Sequence, residues 1–318
     1  MTPTQLRAFT SVVRLGSVKA AAAELGVTEA AVSLHVAHLR KELEDRLFVP
    51  TASGLAFTPG GLRLASRAVE ILGLQDRTVR EVSQAGDGRR LLRLATSSLF
   101  AEHAAPGLIE LFAGRADDLD VELSVRQPEQ LPGLLAARTV DFAVGPALAQ
   151  VPDFVVHQSF LTYEVITVVG PRHPLAGRTL SPAQVRDQRW LLGPSAAGDQ
   201  GAIPALLRRL GVPEAQQSIF QSDAAALEET RRGAGLSLAL RFAVAAELAA
   251  GRLALVEGSA LRASGTWAAL ALPAHSRPPA AAELWRFITS PRATQAMIRG
   301  AGVRVGRFRP SVHVTLWS

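Results

Sequence analysis

Apolar residues at Leu6, Phe9, Val12 and Val13 recur at helical spacing until Gly16 interrupts them, which predicts a first helix. Ser17 is placed to cap a second, short helix through Leu25, in which Ala21 and Ala22 are small enough for another helix to cross closely. Gly26 ends it. Thr28 then caps a third helix to about Leu43, with Ala31, Val32, Val36, Leu39 and Leu43 as its buried stripe. Two short apolar runs, 47–49 and 55–57, flank a turn-like Pro50-Thr51-Ala52-Ser53-Gly54 and read as a small β-wing. Thr58 and Pro59 suit the cap and first turn of a long helix, because the missing proline N–H would have no partner there. From Leu62 to about Ser83 the apolar positions Leu62, Ala65, Val69, Leu72, Val79 and Val82 repeat at three and four. That face needs cover, either from its own domain or from a twin. Residues 84–88 read as a hinge.

Beyond the hinge the period changes. Short apolar runs at 91–96, 121–125 and 142–144 alternate with helical stretches near 101–112 and 131–137. A second series at 165–169, 190–192, 219–220 and 236–240 alternates with helices near 203–210 and 224–232. This alternation predicts parallel α/β sheets in two similar lobes, with the run 267–272 and a helix near 281–288 crossing back to complete the first. The expected fold class is therefore α/β with an all-helical-plus-wing N-terminal domain. Its parts are a winged helix-turn-helix over 1–60, a linker helix and hinge over 61–88, a two-lobed α/β domain over 89–303 and a tail over 304–318. Within the α/β domain, lobe one takes about 89–163 plus 266–303 and lobe two about 164–265.

A length of 318 residues fits more than one domain, and 48% hydrophobic with 19% charged residues excludes a disordered chain. The net charge of +6 favours a polyanionic partner without demanding one. Lysine occurs only at Lys19 and Lys41, so the excess of arginine reads as composition bias. The absence of cysteine excludes a disulfide frame, a thiolate nucleophile and Cys-ligated metal. The first residues lack the apolar core of a signal peptide, and the greasy stretch 236–250 is broken by Arg241 and Glu247, so a cytoplasmic protein with no membrane span is expected. No G-x-S-x-G, glycine-rich phosphate loop or metal-ligand spacing is present, which argues against an enzyme and against a cofactor.

The helix, glycine turn and helix at 6–43 have the spacing of a DNA-reading motif, whose last helix enters the major groove. Thr28, Glu29, Ala30, Ser33 and Leu34 would then face bases and phosphates, with His35 and His38 further along and the wing residues Thr51 and Ser53 on the backbone. Thr28 reads equally as a cap, and Glu29 as a first-turn acid that suits the helix dipole. His35 and His38 have no third donor nearby in sequence and read as exposed polar residues, not as a metal site.

Leu6 and Phe9, Gly16-Ser17 with Ala21-Ala22 and Leu25, Val27-Thr28, Ala31-Val32-Ser33, Leu39, Leu43, Leu47-Phe48 and Phe57-Thr58-Pro59 with Gly61 together resemble the N-terminal domain of LysR-type transcriptional regulators. The resemblance implies a double-stranded DNA partner and a homodimer or tetramer, joined through Leu62, Ala65, Val69 and Leu72 of paired linker helices. It also implies effector lobes like those of periplasmic binding proteins, and here Val140-Asp141-Phe142-Ala143-Val144 and Gly233-Ala234-Gly235-Leu236 match. The family often continues the second of these into a Leu-Pro pair, where this chain has Leu240-Arg241. The family usually carries arginine where this chain has Leu34 and Pro50, and commonly where it has Ser53. Six basic against five acidic side chains leave residues 1–57 with one net positive charge, so weak non-specific binding and a shallow salt dependence are expected. The implied function is a regulator controlled by a small-molecule effector between the lobes. Control by a protein partner, or none, is the alternative.

Ligands of open α/β sheets sit beyond the carboxyl ends of strands, where helix N-termini favour anions. The candidates are Thr96, Ser97 and Ser98, then Gln127, Gly145 and Pro146, and from the second lobe Pro194, Ser195 and Asp223. A small carboxylate would suit the hydroxyls and amides of 96–98, which read equally as helix caps. Asp223 would disfavour an anion and suits either an amine or a capping role.

Overall fold

In the computed structural model, which describes residues 1–51, 54–85, 88–299 and 312–315, the first helix begins on a reciprocal cap. The Thr2 hydroxyl accepts from the Gln5 N–H while the Gln5 side chain accepts from the Thr2 N–H. Helices α1 (Pro3–Leu15), α2 (Val18–Leu25) and α3 (Glu29–Leu43) follow, the last two capped by the hydroxyls of Ser17 and Thr28. Leu6, Phe9 and Val12 meet Ala21, Ala22, Val32, Val36 and Leu39 in one core. Leu43 departs from the expected stripe and is exposed, because α3 ends at Glu44 in a left-handed turn. Leu47, itself at φ +64°, is buried in the same core. Strands β1 (Phe48–Thr51) and β2 (Gly54–Phe57) pair antiparallel with Phe48 opposite Phe57.

Helix α4 (Pro59–Ala85) is fastened to this base at its first turn. Thr58 Oγ1 accepts from the Gly61 N–H at 2.9 Å and donates to Asp45 Oδ1 at 2.6 Å, and Asp45 also accepts from the Leu47 N–H at 2.6 Å. Gly61 sits so close to Leu47 that a Cβ there would lie 1.9 Å from its carbonyl oxygen.

The chain divides into two compact units, Met1–Asp87 with Ala136–Thr139, and Gly88–Leu135 with Val140–Ser318. In the second, β3 (Arg90–Thr96), α5 (Ser98–His103), α6 (Ala105–Ala113), β4 (Leu119–Val125), α7 (Leu131–Ala136) and β5 (Phe142–Pro146) build one lobe. Strand β6 (Val156–Val169) carries the chain into another, made of α8 (Pro182–Val185), β7 (Trp190–Leu192), α9 (Ala202–Leu210), β8 (Gln217–Ile219), α10 (Asp223–Arg231), β9 (Ser237–Leu240), α11 (Arg241–Ala249) and β10 (Ala254–Leu255). Strand β11 (Arg262–Ala271) returns, α12 (Pro279–Phe287) and α13 (Pro291–Arg299) follow, and β12 (Val312–Thr315) pairs with β4.

The main sheet runs β10-β6-β11-β5-β3-β4-β12, with β9 also on β6. It is mixed, not parallel as the sequence pattern predicts. Strands β3, β4 and β5 are parallel, but β11 lies antiparallel to β5 and β6, because β6 and β11 are the two crossings between lobes. The helix expected near 101–112 is also two, broken at Ala104 before Pro106, so that α5 starts directly after β3. Inside the first lobe Arg93 and Asp141 form a buried two-pronged ion pair at 2.8 and 3.2 Å, and Asp141 Oδ2 also accepts from the Arg93 N–H. Among the described residues no helix is long and apolar enough to cross a membrane.

Candidate functional site

Two surfaces gather the candidate residues, one in each unit. On the first, α3 turns Glu29, Ala30, Ser33, Leu34 and His38 outward beyond the exposed cap Thr28, with Leu34 55% exposed. The Thr28 hydroxyl oxygen accepts from the Ala31 N–H at 3.2 Å, which leaves its proton free to donate. His35 is half-buried, and His38 Nδ1 lies 3.4 Å from Gln5 Nε2 on α1. In the wing the Thr51 hydroxyl donates to the Gly54 carbonyl, while Ser53 lies outside the described residues.

Of the six cations in residues 1–57, three are engaged. Arg7 pairs with Asp76 at 2.8 Å and Arg14 pairs with Glu24. Arg40 donates to the Phe48 carbonyl at 2.8 Å and stacks over its ring at 4.5 Å, so it ties α3 to the wing. Lys19, Lys41 and Arg46 are exposed and make no ion pair among the described residues.

The four residues expected to form one pairing face on α4 separate. Ala65 and Leu72 pack on their own unit's core, whereas Leu62 and Val69 remain 58% and 38% exposed. Ile71, Leu74, Val79 and Val82 are exposed as well, so the uncovered apolar positions of α4 extend well beyond the expected set.

The second surface is a cavity of about 380 Å³ between the two lobes. Ser97, Ser98, Gln127 and Pro146 line it from the first lobe, and Pro194 and Ser195 from the second. Three expected residues do not reach it. Thr96 is fully buried with its hydroxyl donating to the Ser97 carbonyl, and Gly145 is buried in the ladder opposite Ala268, where a Cβ would meet Leu131. Asp223 turns instead to His103 and Glu102 of α5.

Residues the sequence pattern missed complete the walls: Tyr163 of β6 and Trp267 of β11, with ring centroids 4.5 Å apart, together with Arg126, Gln200 and Ile203. Gly265 leaves the space that the Tyr163 ring occupies, since a Cβ there would fall 2.3 Å from that ring. Burial lifts the Tyr163 hydroxyl to about 12, against the opposing effect of the Ala202 N–H that donates to it. The Ser97 and Ser195 hydroxyls are buried and have no hydrogen-bond partner among the described residues. An unpaired buried hydroxyl costs about 1–3 kcal/mol.

Comparison with known proteins adds a second line of support. Residues 3–62 match the family described as bacterial regulatory helix-turn-helix protein, lysR family, and residues 85–291 match the LysR substrate binding domain. The chain is 60% identical over 321 residues to an HTH-type transcriptional regulator of Mycobacterium tuberculosis, covering all of both chains. It is 27% identical over 297 residues to the RuBisCO operon transcriptional regulator of Allochromatium vinosum, covering 91% of this chain and 96% of that one. Among solved structures, ArgP from Mycobacterium tuberculosis is similar with a TM-score of 0.57 at 18% identity, covering 94% of this chain and 96% of that one.

Proposed function

The chain belongs to the LysR family of DNA-binding transcriptional regulators, and from that premise we propose that two copies of it read a double-stranded operator under the control of a small carboxylate held between the lobes. Residues 1–60 do the reading, 61–88 the pairing and 89–303 the sensing, in the cytoplasm where the DNA is. Thr28 and Ser33 donate to phosphate, Glu29 accepts from a cytosine amino group, and Ala30 and Leu34 meet thymine methyls. His35 and His38 follow along the groove, and the wing, with Thr51 and Ser53, lies along the backbone. Leu62 and Val69, joined by Ile71 and Leu74, supply the apolar contact between paired α4 helices, since large exposed apolar residues at helical spacing call for cover.

The observation that carries the sensing half is the cavity between the lobes, lined from opposite sides by Ser97 and Ser195, whose hydroxyls are buried and unpartnered among the described residues. A carboxylate accepts from both and from nearby backbone amides, and its apolar body lies against Tyr163, Trp267 and Ile203. Two measurements test this. Selection of bound fragments from the source genome recovers an operator, and failure to enrich any fragment removes the reading. Titration of the full chain with a panel of two- to eight-carbon carboxylates, followed by tryptophan fluorescence, gives a saturable change that Ser97→Ala abolishes. If no carboxylate changes either fluorescence or operator affinity, control passes to a protein partner or to none.

A further inference from the structure

Beside the cavity the two lobes are joined by a second polar contact that the effector reading does not use. Glu102 and His103 end α5 in the first lobe, and Asp223 opens α10 in the second. His103 Nε2 lies 3.0 Å from Asp223 Oδ2, and the Asp223 N–H donates to the two Glu102 carboxylate oxygens at 2.9 and 3.1 Å. A carboxylate of one lobe thus caps a helix of the other. The Asp223 side chain is 6% exposed and that of His103 12%.

The contact is mechanically continuous with the cavity. Glu102 and His103 stand one helical turn after the lining residues Ser98 and Leu99. Gly193, next to lining residue Pro194, is pressed so closely on Asp223 that a Cβ would lie 1.7 Å from Oδ1. Opening the lobes therefore has to separate Glu102 and His103 from Asp223.

The groups that face one another are Glu102 and His103 from α5 and Asp223 from α10, and no lysine or arginine joins them among the described residues. A buried carboxylate, Asp223, and a half-buried one, Glu102, then lie beside one imidazole, and protons make up the balance of charge. Burial, and next the Asp223 charge, raise the Glu102 carboxyl to about 7. Burial works against a charged His103, but the hydrogen bond and charge of Asp223, with the Glu102 charge, outweigh it and hold the imidazole above its usual range.

We propose that Glu102, His103 and Asp223 form a proton-operated latch between the lobes, closed while Glu102 and His103 carry their protons and released as they lose them. Both groups bind protons more tightly in the closed form than when separated. The Glu102 contribution is therefore complete below the ordinary carboxyl value of 4.5 and is lost as pH rises through about 7, and that of His103 is complete below 6.5 and is lost as pH rises through its raised value. Resting on the proposed role of the cavity, effector affinity falls over the same pH range.

Thermal unfolding of the full chain without any ligand tests the latch directly. All four tryptophans lie at position 190 or beyond, so their fluorescence reports the second unit alone. From pH 5.5 to 8.5 the melting temperature of the wild-type chain falls by roughly 4–8 °C. Glu102→Gln, which mimics the protonated acid, flattens this fall and melts above wild type at pH 8.5. His103→Gln melts further below wild type at pH 5.5 than at pH 8.5. If Glu102→Gln instead lowers the melting temperature equally at both pH values, Glu102 is only a helix cap and the latch is wrong. Because no effector enters the experiment, its failure leaves the carboxylate reading standing, and failure of the carboxylate titration leaves the latch standing.

Discussion

The salt dependence of operator binding follows from how few cations the reading unit leaves unengaged. With Arg7, Arg14 and Arg40 held by Asp76, Glu24 and Phe48, each protomer offers Lys19, Lys41 and Arg46 to phosphates. Six such cations in a dimer give a slope of log affinity against log salt of about −5, or roughly a thousandfold loss between 50 and 200 mM. Including Arg63, exposed near the start of α4, steepens the slope to about −7. The assay is fluorescence anisotropy of the full chain on a labelled operator fragment at four salt concentrations. Leu34→Arg places a guanidinium on the exposed face of α3 in both protomers and steepens the slope by about 2, with tighter binding at low salt. A wild-type slope beyond about −8 refutes the reasoning, because it requires cations that the fold holds in internal contacts.

Asp141→Ala leaves the buried Arg93 guanidinium without its carboxylate and destabilises the second unit by about 3–5 kcal/mol, read from urea unfolding of tryptophan fluorescence. Gly61→Ala drives a Cβ into the Leu47 carbonyl and costs about 1–3 kcal/mol at the junction of wing and α4, visible as a lower helical melting temperature and weaker operator binding. Ser97→Ala removes an unpaired buried hydroxyl, so it raises the stability of the ligand-free chain by about 1 kcal/mol while abolishing the carboxylate response. A loss of stability in that variant would show that the hydroxyl has a partner in solution.

The helix limits of the first unit were legible because they rest on local chemistry. Ser17, Thr28 and Thr58 each cap the residue three places on, and Gly16 and Gly26 take the left-handed conformation that ends a helix. Where the outcome depends on distant contacts the local pattern misleads. Leu43 continues the apolar period of α3, yet the chain turns at Glu44 and Leu47 is buried, a choice made by the Asp45 and Thr58 contacts. The first halves of β6 and β11 escaped notice because partly exposed crossing strands carry polar residues such as Gln158, Ser159, Thr162, Ser264 and Thr266. Asp223 could be placed at a helix start from sequence, but its partner His103 is 120 positions away.

The same division runs through the cavity. The rule that ligands sit beyond strand carboxyl ends needs only the alternation of strands and helices, and it finds Ser97, Ser98, Gln127, Pro146, Pro194 and Ser195. It is silent about Tyr163 and Trp267, which come from the crossing strands and not from strand ends. On the proposed reading, the polar end of a ligand would be set by features both lobes share, whereas its body would be set by the crossings. Those crossings are also the covalent links between the lobes, and the Tyr163 and Trp267 rings stand on them side by side. A ligand body pressed against these rings would thus act on the segments that link the lobes. Enlarging the space by Trp267→Ala should alter the operator response to a bound carboxylate more than it alters binding of the carboxylate group itself, and equal losses in both would place the response elsewhere in the fold.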